Sequence, residues 1–69
     1  IATLEKAQSI PDIARDGEEA TQMAMKKPYD IIFMDCQMPN KDGFEATRDI
    51  RAFEKGNSRK PSCIIALTA

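Results

Sequence analysis

Tyr29-Asp30-Ile31-Ile32-Phe33-Met34-Asp35-Cys36-Gln37-Met38-Pro39-Asn40-Lys41-Asp42-Gly43 is the stretch on which the fold turns. Tyr29 to Met34 is a short apolar run with β-branched and aromatic members, the pattern of a strand covered on both faces in a parallel sheet. It ends on a carboxylate, Asp35. In open α/β sheets the crevice beyond the carboxyl ends of the strands is where ligands and chemistry collect. Cys36 to Gly43 contains a proline and a glycine, so the strand cannot continue and a loop is expected to hold Asp35 partly open to solvent. An aspartate so placed can be a solvated strand end, an oxygen ligand for a hard cation, or a nucleophile that forms an acyl phosphate.

On either side of this stretch the sequence reads as alternating elements. Ile1 and Leu4 with polar residues between them fit the last turns of an amphipathic helix over Ile1 to Ala7, broken by Gln8 to Pro11. Asp12 to Arg15 is a short strand candidate. Asp16 can cap a helix, Glu19 completes a capping box, and the helix runs to about Lys27 before Pro28, with Ala20, Met23 and Ala24 inward. A second helix starts at the cap Asp42 with Glu45 as its capping-box partner. Ala46, Ile50 and Phe53 form its apolar face, Phe44 packs separately under the loop, and Arg48, Arg51, Lys55 and Glu45 face solvent. Gly56 suits the left-handed residue at the helix end. Arg59 to Ser62 is a polar linker, and Cys63 to Ala69 is a second buried strand. Two strands joined by a helix make a right-handed βαβ unit, so Asp35 and Thr68 are expected to leave the sheet at one edge, side by side.

Composition narrows the function classes. At 69 residues the chain is at most one small domain, and a core of this size supplies only about 3 to 5 kcal/mol. Two cysteines, Cys36 and Cys63, and no histidine exclude a disulfide framework or a Cys/His metal site; buried reduced thiols and a cytoplasmic setting are expected. Ten basic against eleven acidic residues, without a run of either sign, argue against nucleic acid as a partner. No stretch approaches the roughly 18 apolar residues of a membrane span.

Met34-Asp35-Cys36-Gln37-Met38-Pro39 followed by Lys41-Asp42-Gly43-Phe44-Glu45-Ala46, with Ala14 to Ala20 upstream and Ala66-Leu67-Thr68-Ala69 at the end, resembles the receiver domains of response regulators, above all those of hybrid histidine kinases. The resemblance implies a flavodoxin-like parallel α/β sheet, here incomplete: residues 1–69 correspond to a receiver from the end of its first helix to the end of its fourth strand. It implies that Asp35 is the phosphoacceptor, that Thr68 is the hydroxyl that senses the phosphoryl group, and that the backbone N–H of Ala69 binds a phosphoryl oxygen. It implies Mg2+ held by Asp35 and the backbone carbonyl of Gln37, with further acids from outside the chain, and a histidine kinase or histidine-phosphotransfer domain as partner. With the family's first strand missing, Asp12 to Ala14 is expected to have no neighbour, and the segment alone is expected neither to fold stably nor to bind Mg2+ tightly. Two other functions share part of this pattern. A haloacid-dehalogenase-like phosphatase also uses a strand-end aspartate, but wants a second aspartate where Gln37 stands. A receiver-like scaffold would bind partners without being phosphorylated.

Overall fold

In the computed structural model, which describes residues 1–38 and 40–67, one four-stranded sheet carries two helices. The elements are β1 (Ala2–Glu5), β2 (Asp12–Ala14), α1 (Gly17–Lys26), β3 (Ile31–Asp35), α2 (Gly43–Gly56) and β4 (Cys63–Leu67). The strand order is β2-β1-β3-β4. β3 and β4 pair in parallel, as expected of a βαβ unit, with Asp35 opposite Leu67.

The N-terminal segment departs from its expected helix. Ala2 to Glu5 is a strand that lies between β2 and β3 and runs antiparallel to both. The spacing of Ile1 and Leu4 fits one face of a helix, but Ala2 and Leu4 are fully buried and alternate with the half-buried Thr3 and Glu5. A helix of so few residues nucleates poorly, whereas a strand between two others satisfies its backbone on both sides. Asp12 to Ala14 therefore has a neighbour, and the sheet is mixed rather than purely parallel.

Both helices lie on one face. Ala2, Leu4, Ala14, Ile32 and Met34 from the strands share a single core with Ala20 and Ala24 of α1, Ala46 and Ile50 of α2, and Tyr29 and Met38 of the loops. The other face carries no helix among the described residues, which corrects the reading of β3 and β4 as strands buried on both sides. Ile13, Ile65 and Leu67 are exposed, and Cys63 is an exposed free thiol rather than a buried one, while Cys36 is half-buried.

The helix starts follow local chemistry. Asp16 and Asp42 cap α1 and α2, each accepting from the backbone N–H three residues on, Glu19 and Glu45, at 2.8 Å. Glu19 reaches back to the N–H of Arg15 at 2.9 Å, one residue before the cap. Ala46 and Ile50 are buried as expected, but Phe53 is only half-buried and lies under the Arg59 guanidinium, 4.8 Å from ring centre to carbon. Phe44 is 66% exposed; it sits on the outer side of the first turn of α2, and Met38 is the loop residue in the core instead. The left-handed residue past α2 is Ser58, with φ of 52°, and no described glycine has positive φ.

The segment read as a polar linker is built into the fold. The Arg59 guanidinium donates to the carbonyls of Ala24, Met25 (3.2 Å) and Lys27 (3.3 Å), closing the C-terminus of α1. Glu54 is buried on α2, accepting from Arg51 at 2.7 Å and from the backbone N–H of Ser62 at 2.8 Å. The Ser62 hydroxyl donates to the carbonyl of Tyr29. Together these bonds fix the entry to β4 against the entry to β3.

Candidate functional site

Asp35 is the last residue of β3 and stands at the carboxyl edge of the parallel pair. Its side chain is 37% exposed, because the apolar run that buries the strand stops at Met34. One carboxylate oxygen is already held: Oδ1 accepts from the backbone N–H of Gln37 at 3.0 Å. Among the described residues, the nearest charged group to Oδ2 is the Ile1 nitrogen, at 3.6 Å.

The loop is anchored at both ends. Next to Asp35, the Cys36 N–H donates to Leu67 O at 3.1 Å, and the Gly43 N–H donates to Cys36 O at 3.3 Å. Gly43 has no room for a side chain, since a Cβ there would stand 2.5 Å from the Asp35 carbonyl oxygen and 3.0 Å from Cys36 Cα. At the far end the Asn40 amide donates to Asp16 Oδ2 at 2.7 Å. Lys41 Nζ lies between Asp49 Oδ2 at 2.6 Å and Glu18 Oε2 at 3.1 Å. These carboxylates hold the Lys41 ammonium above its ordinary range, Asp49 most strongly. Asp16 lies below the ordinary carboxylate range through the N–H of Glu19 and then the Asn40 amide. An open depression of about 510 Å³ separates the loop from the start of α1, with Asp16, Glu18, Asn40 and Lys41 on its walls; Asp35 does not line it.

The four residues expected to carry the chemistry stand differently. Asp35 and Gln37 are together, though through the Gln37 N–H rather than its carbonyl. Thr68 and Ala69 lie outside the described residues; Leu67, just before them, is the partner of Asp35 across the sheet. Among the described residues no three His, Cys, Asp or Glu converge as a metal site; Mg2+ takes six oxygens, usually with only one or two from protein carboxylates. The direction of β1 is one reason. Its N-terminal end lies beside Asp35, while its only acid, Glu5, pairs with Ile31 at the opposite edge.

Across residues 2–69 the chain matches the family model of the response regulator receiver domain. The chain belongs to that family. Among relatives, it is 52% identical over 68 positions to hybrid signal transduction histidine kinase B of Dictyostelium discoideum, covering 87% of this chain and 4% of the kinase. It is 43% identical over 81 aligned positions to probable histidine kinase 2 of Oryza sativa subsp. indica, covering 96% of this chain and 8% of the kinase. A crystal structure of the receiver domain of the histidine kinase CKI1 from Arabidopsis thaliana, complexed with Mg2+ and BeF3-, superposes with a TM-score of 0.73 at 38% identity over 80% of this chain and 45% of that one. The chain thus spans a small part of these kinases and about half of a solved receiver. It is a partial receiver of two-component signalling, with the CheY-like α/β architecture expected from its sequence. None of its described helices is long and apolar enough to cross a membrane.

Two sets of contacts carry no sequence signal. Arg59 acts on carbonyls more than thirty residues upstream, and Lys41 joins partners on two helices; neither spacing follows a helical or strand period.

Proposed function

We propose that this receiver is a phosphoacceptor, taking a phosphoryl group onto Asp35 from a phosphohistidine of a histidine kinase or a histidine-phosphotransfer domain in a cytoplasmic phosphorelay. The observation that carries the reading is the state of the Asp35 carboxylate: at the strand end, 37% exposed, with Oδ1 accepting from the Gln37 N–H at 3.0 Å. Oδ2 forms a bond to phosphorus as the P–N bond breaks, and the electron pair leaves with the imidazole, which takes up a proton. The Gln37 N–H orients the carboxylate and keeps its second oxygen hydrogen-bonded throughout. The Asp35 carboxylate and the Gln37 carbonyl would be ligands of Mg2+ from this segment, and the ion would supply positive charge to offset the anions that meet at phosphorus. The Thr68 hydroxyl and the Ala69 N–H are assigned to the phosphoryl oxygens, Thr68 as the group whose position reports phosphorylation. The complex of a similar receiver with Mg2+ and BeF3- supports this reading.

The test is transfer of radiolabelled phosphate from a phosphohistidine donor to the full receiver-containing protein and to its Asp35→Asn variant. Label is expected on the first and not on the second; equal label on both removes Asp35 from the role.

A further inference from the structure

The far end of the loop after Asp35 is held by charge. Lys41 is the centre of this: its side chain is only 16% exposed, with carboxylates of both helices against it at 2.6 and 3.1 Å. Its backbone carbonyl packs on Gly17, where a Cβ would collide with it. Its neighbour Asn40 has φ of 68°, a left-handed turn that asparagine tolerates, and this turn carries the Asn40 amide onto the α1 cap Asp16. At the near end the same loop supplies the Gln37 N–H to Asp35 Oδ1. Met38, next to Gln37, is sunk in the core.

We propose that Lys41 is a positioning residue for phosphoryl transfer, an ionic clamp between Glu18 and Asp49 that sets where the Asp35 loop sits. The inference rests on Asp35 being the phosphoacceptor. Lys41 does not touch the phosphoryl group, because its ammonium is taken up by the two carboxylates. It acts by holding the loop, so that the Gln37 N–H meets the carboxylate without reorganisation as phosphorus approaches. Misplacing a reacting group by about 1 Å costs on the order of 100-fold in rate. Loss of the clamp is therefore expected to fall on the rate at saturating donor rather than on donor affinity.

The experiment compares the full receiver-containing protein with its Lys41→Met, Lys41→Arg, Asp49→Asn and Asp35→Asn variants. Label uptake from a small acyl phosphate, acetyl phosphate, is followed with Mg2+ over a range of donor concentrations, at a temperature where circular dichroism shows each variant folded. Lys41→Met, which keeps length and loses charge, is expected to slow uptake at saturation by roughly 10- to 100-fold. Lys41→Arg is expected to restore it to within about threefold, since a guanidinium can serve both carboxylates. Should Lys41→Met fail to fold, Asp49→Asn removes the 2.6 Å partner and is expected to slow uptake in the same sense. Uptake by folded Lys41→Met, or by Asp49→Asn in its place, at the unsubstituted rate overturns the clamp while leaving Asp35 as acceptor. A slowing that Lys41→Arg does not reverse also overturns it. Absence of label on the unsubstituted protein, or equal label on Asp35→Asn, overturns the acceptor reading and the clamp with it.

Discussion

Adding one methyl group to the start of α2 should do more harm than adding one to its end. At Gly43 a Cβ would lie 2.5 Å from the Asp35 carbonyl oxygen and 3.0 Å from both Cys36 Cα and Met34 Cγ. The Met34 side chain can move aside, but the other two atoms are backbone of the strand end itself. The first of these contacts is about 0.9 Å short of an ordinary 3.4 Å approach, so α2 or the loop must shift by nearly that much. Overpacking of this kind costs about 1 to 3 kcal/mol. The better helix propensity of alanine returns up to about 1 kcal/mol, and less in a first turn. A net loss of about 1 to 2 kcal/mol is expected for Gly43→Ala. At Gly56 nothing lies within 4 Å of the added atom and φ is not positive, so Gly56→Ala should stabilise by about 0.5 kcal/mol through the reduced entropy of the unfolded chain.

Urea unfolding of the two variants in the full receiver-containing protein measures the difference. With an m-value of about 1 kcal/mol/M for a small domain, the midpoints should separate by roughly 1.5 to 2.5 M, Gly43→Ala below and Gly56→Ala above the unsubstituted protein. Gly43→Ala should also slow phosphoryl uptake, because the shift passes through Cys36 into the loop that carries the Gln37 N–H. Equal midpoints for the two variants, or normal uptake by Gly43→Ala, would refute the close approach of α2 to the strand end.

Tyr29 donates to Asp12 Oδ2 at 2.5 Å; burial, then that hydrogen bond, pushes the phenol from 10.0 up to about 12. The bond to Tyr29, then the Lys27 ammonium, lowers the Asp12 carboxyl below its ordinary 3.8. A raised phenol stabilises the fold fully below pH 10 and loses that contribution as pH rises through about 12. A lowered carboxyl contributes above its unfolded value and loses it as pH falls through the folded one. Tyr29→Phe should therefore flatten the stability profile at both extremes, and unfolding midpoints followed from pH 3 to about 12 check this. Arg59→Ala removes the guanidinium from three carbonyls at the end of α1 and from the Phe53 ring. It should cost about 1 to 3 kcal/mol and speed amide hydrogen exchange in the last turn of α1 first; uniform exchange across the sheet and helices would contradict the assignment.

What could be read from the sequence was what neighbouring residues decide among themselves. Asp16 and Asp42 cap their helices because the donors they satisfy are three residues away. The apolar run ending at Asp35 makes a strand under any packing that buries it. β1 was not legible, because Ile1, Ala2 and Leu4 satisfy both a helical and an alternating pattern over so few residues. The choice is made by the unpaired edges of β2 and β3, which are distant in the sequence. Phe44 and Cys63 depart from the sequence expectation for a related reason. Apolar residues usually find cover, but the helices of this segment lie on one side of the sheet, and Phe44 falls on the outward side of its turn. Of the candidate site, Asp35 and Gln37 could be found from the strand, the loop and the family pattern. Lys41 lay within the same stretch without a role, since its partners Glu18 and Asp49 are brought to it by the packing of α1 on α2.

The direction of β1 also bears on how much of the chemistry these residues do alone. A strand parallel to β3 in that slot would deliver its carboxyl end beside Asp35, whereas the antiparallel β1 delivers Ile1 there and carries Glu5 to the far edge. β2 does end at the same edge as Asp35, and Asp16 follows two residues later. Its two oxygens are already taken by the Glu19 N–H and the Asn40 amide. Asp16 thus works as a cap and a loop anchor, and drawing it toward a cation would release both α1 and the loop. On the proposed reading, this segment contributes Asp35 and the loop that aims it, and Asp16 stays with the helix and the loop rather than with a cation. Replacing Asp16 by asparagine, which keeps the capping bond and exchanges one acceptor for a donor, should disturb the loop through Asn40 while leaving α1 capped.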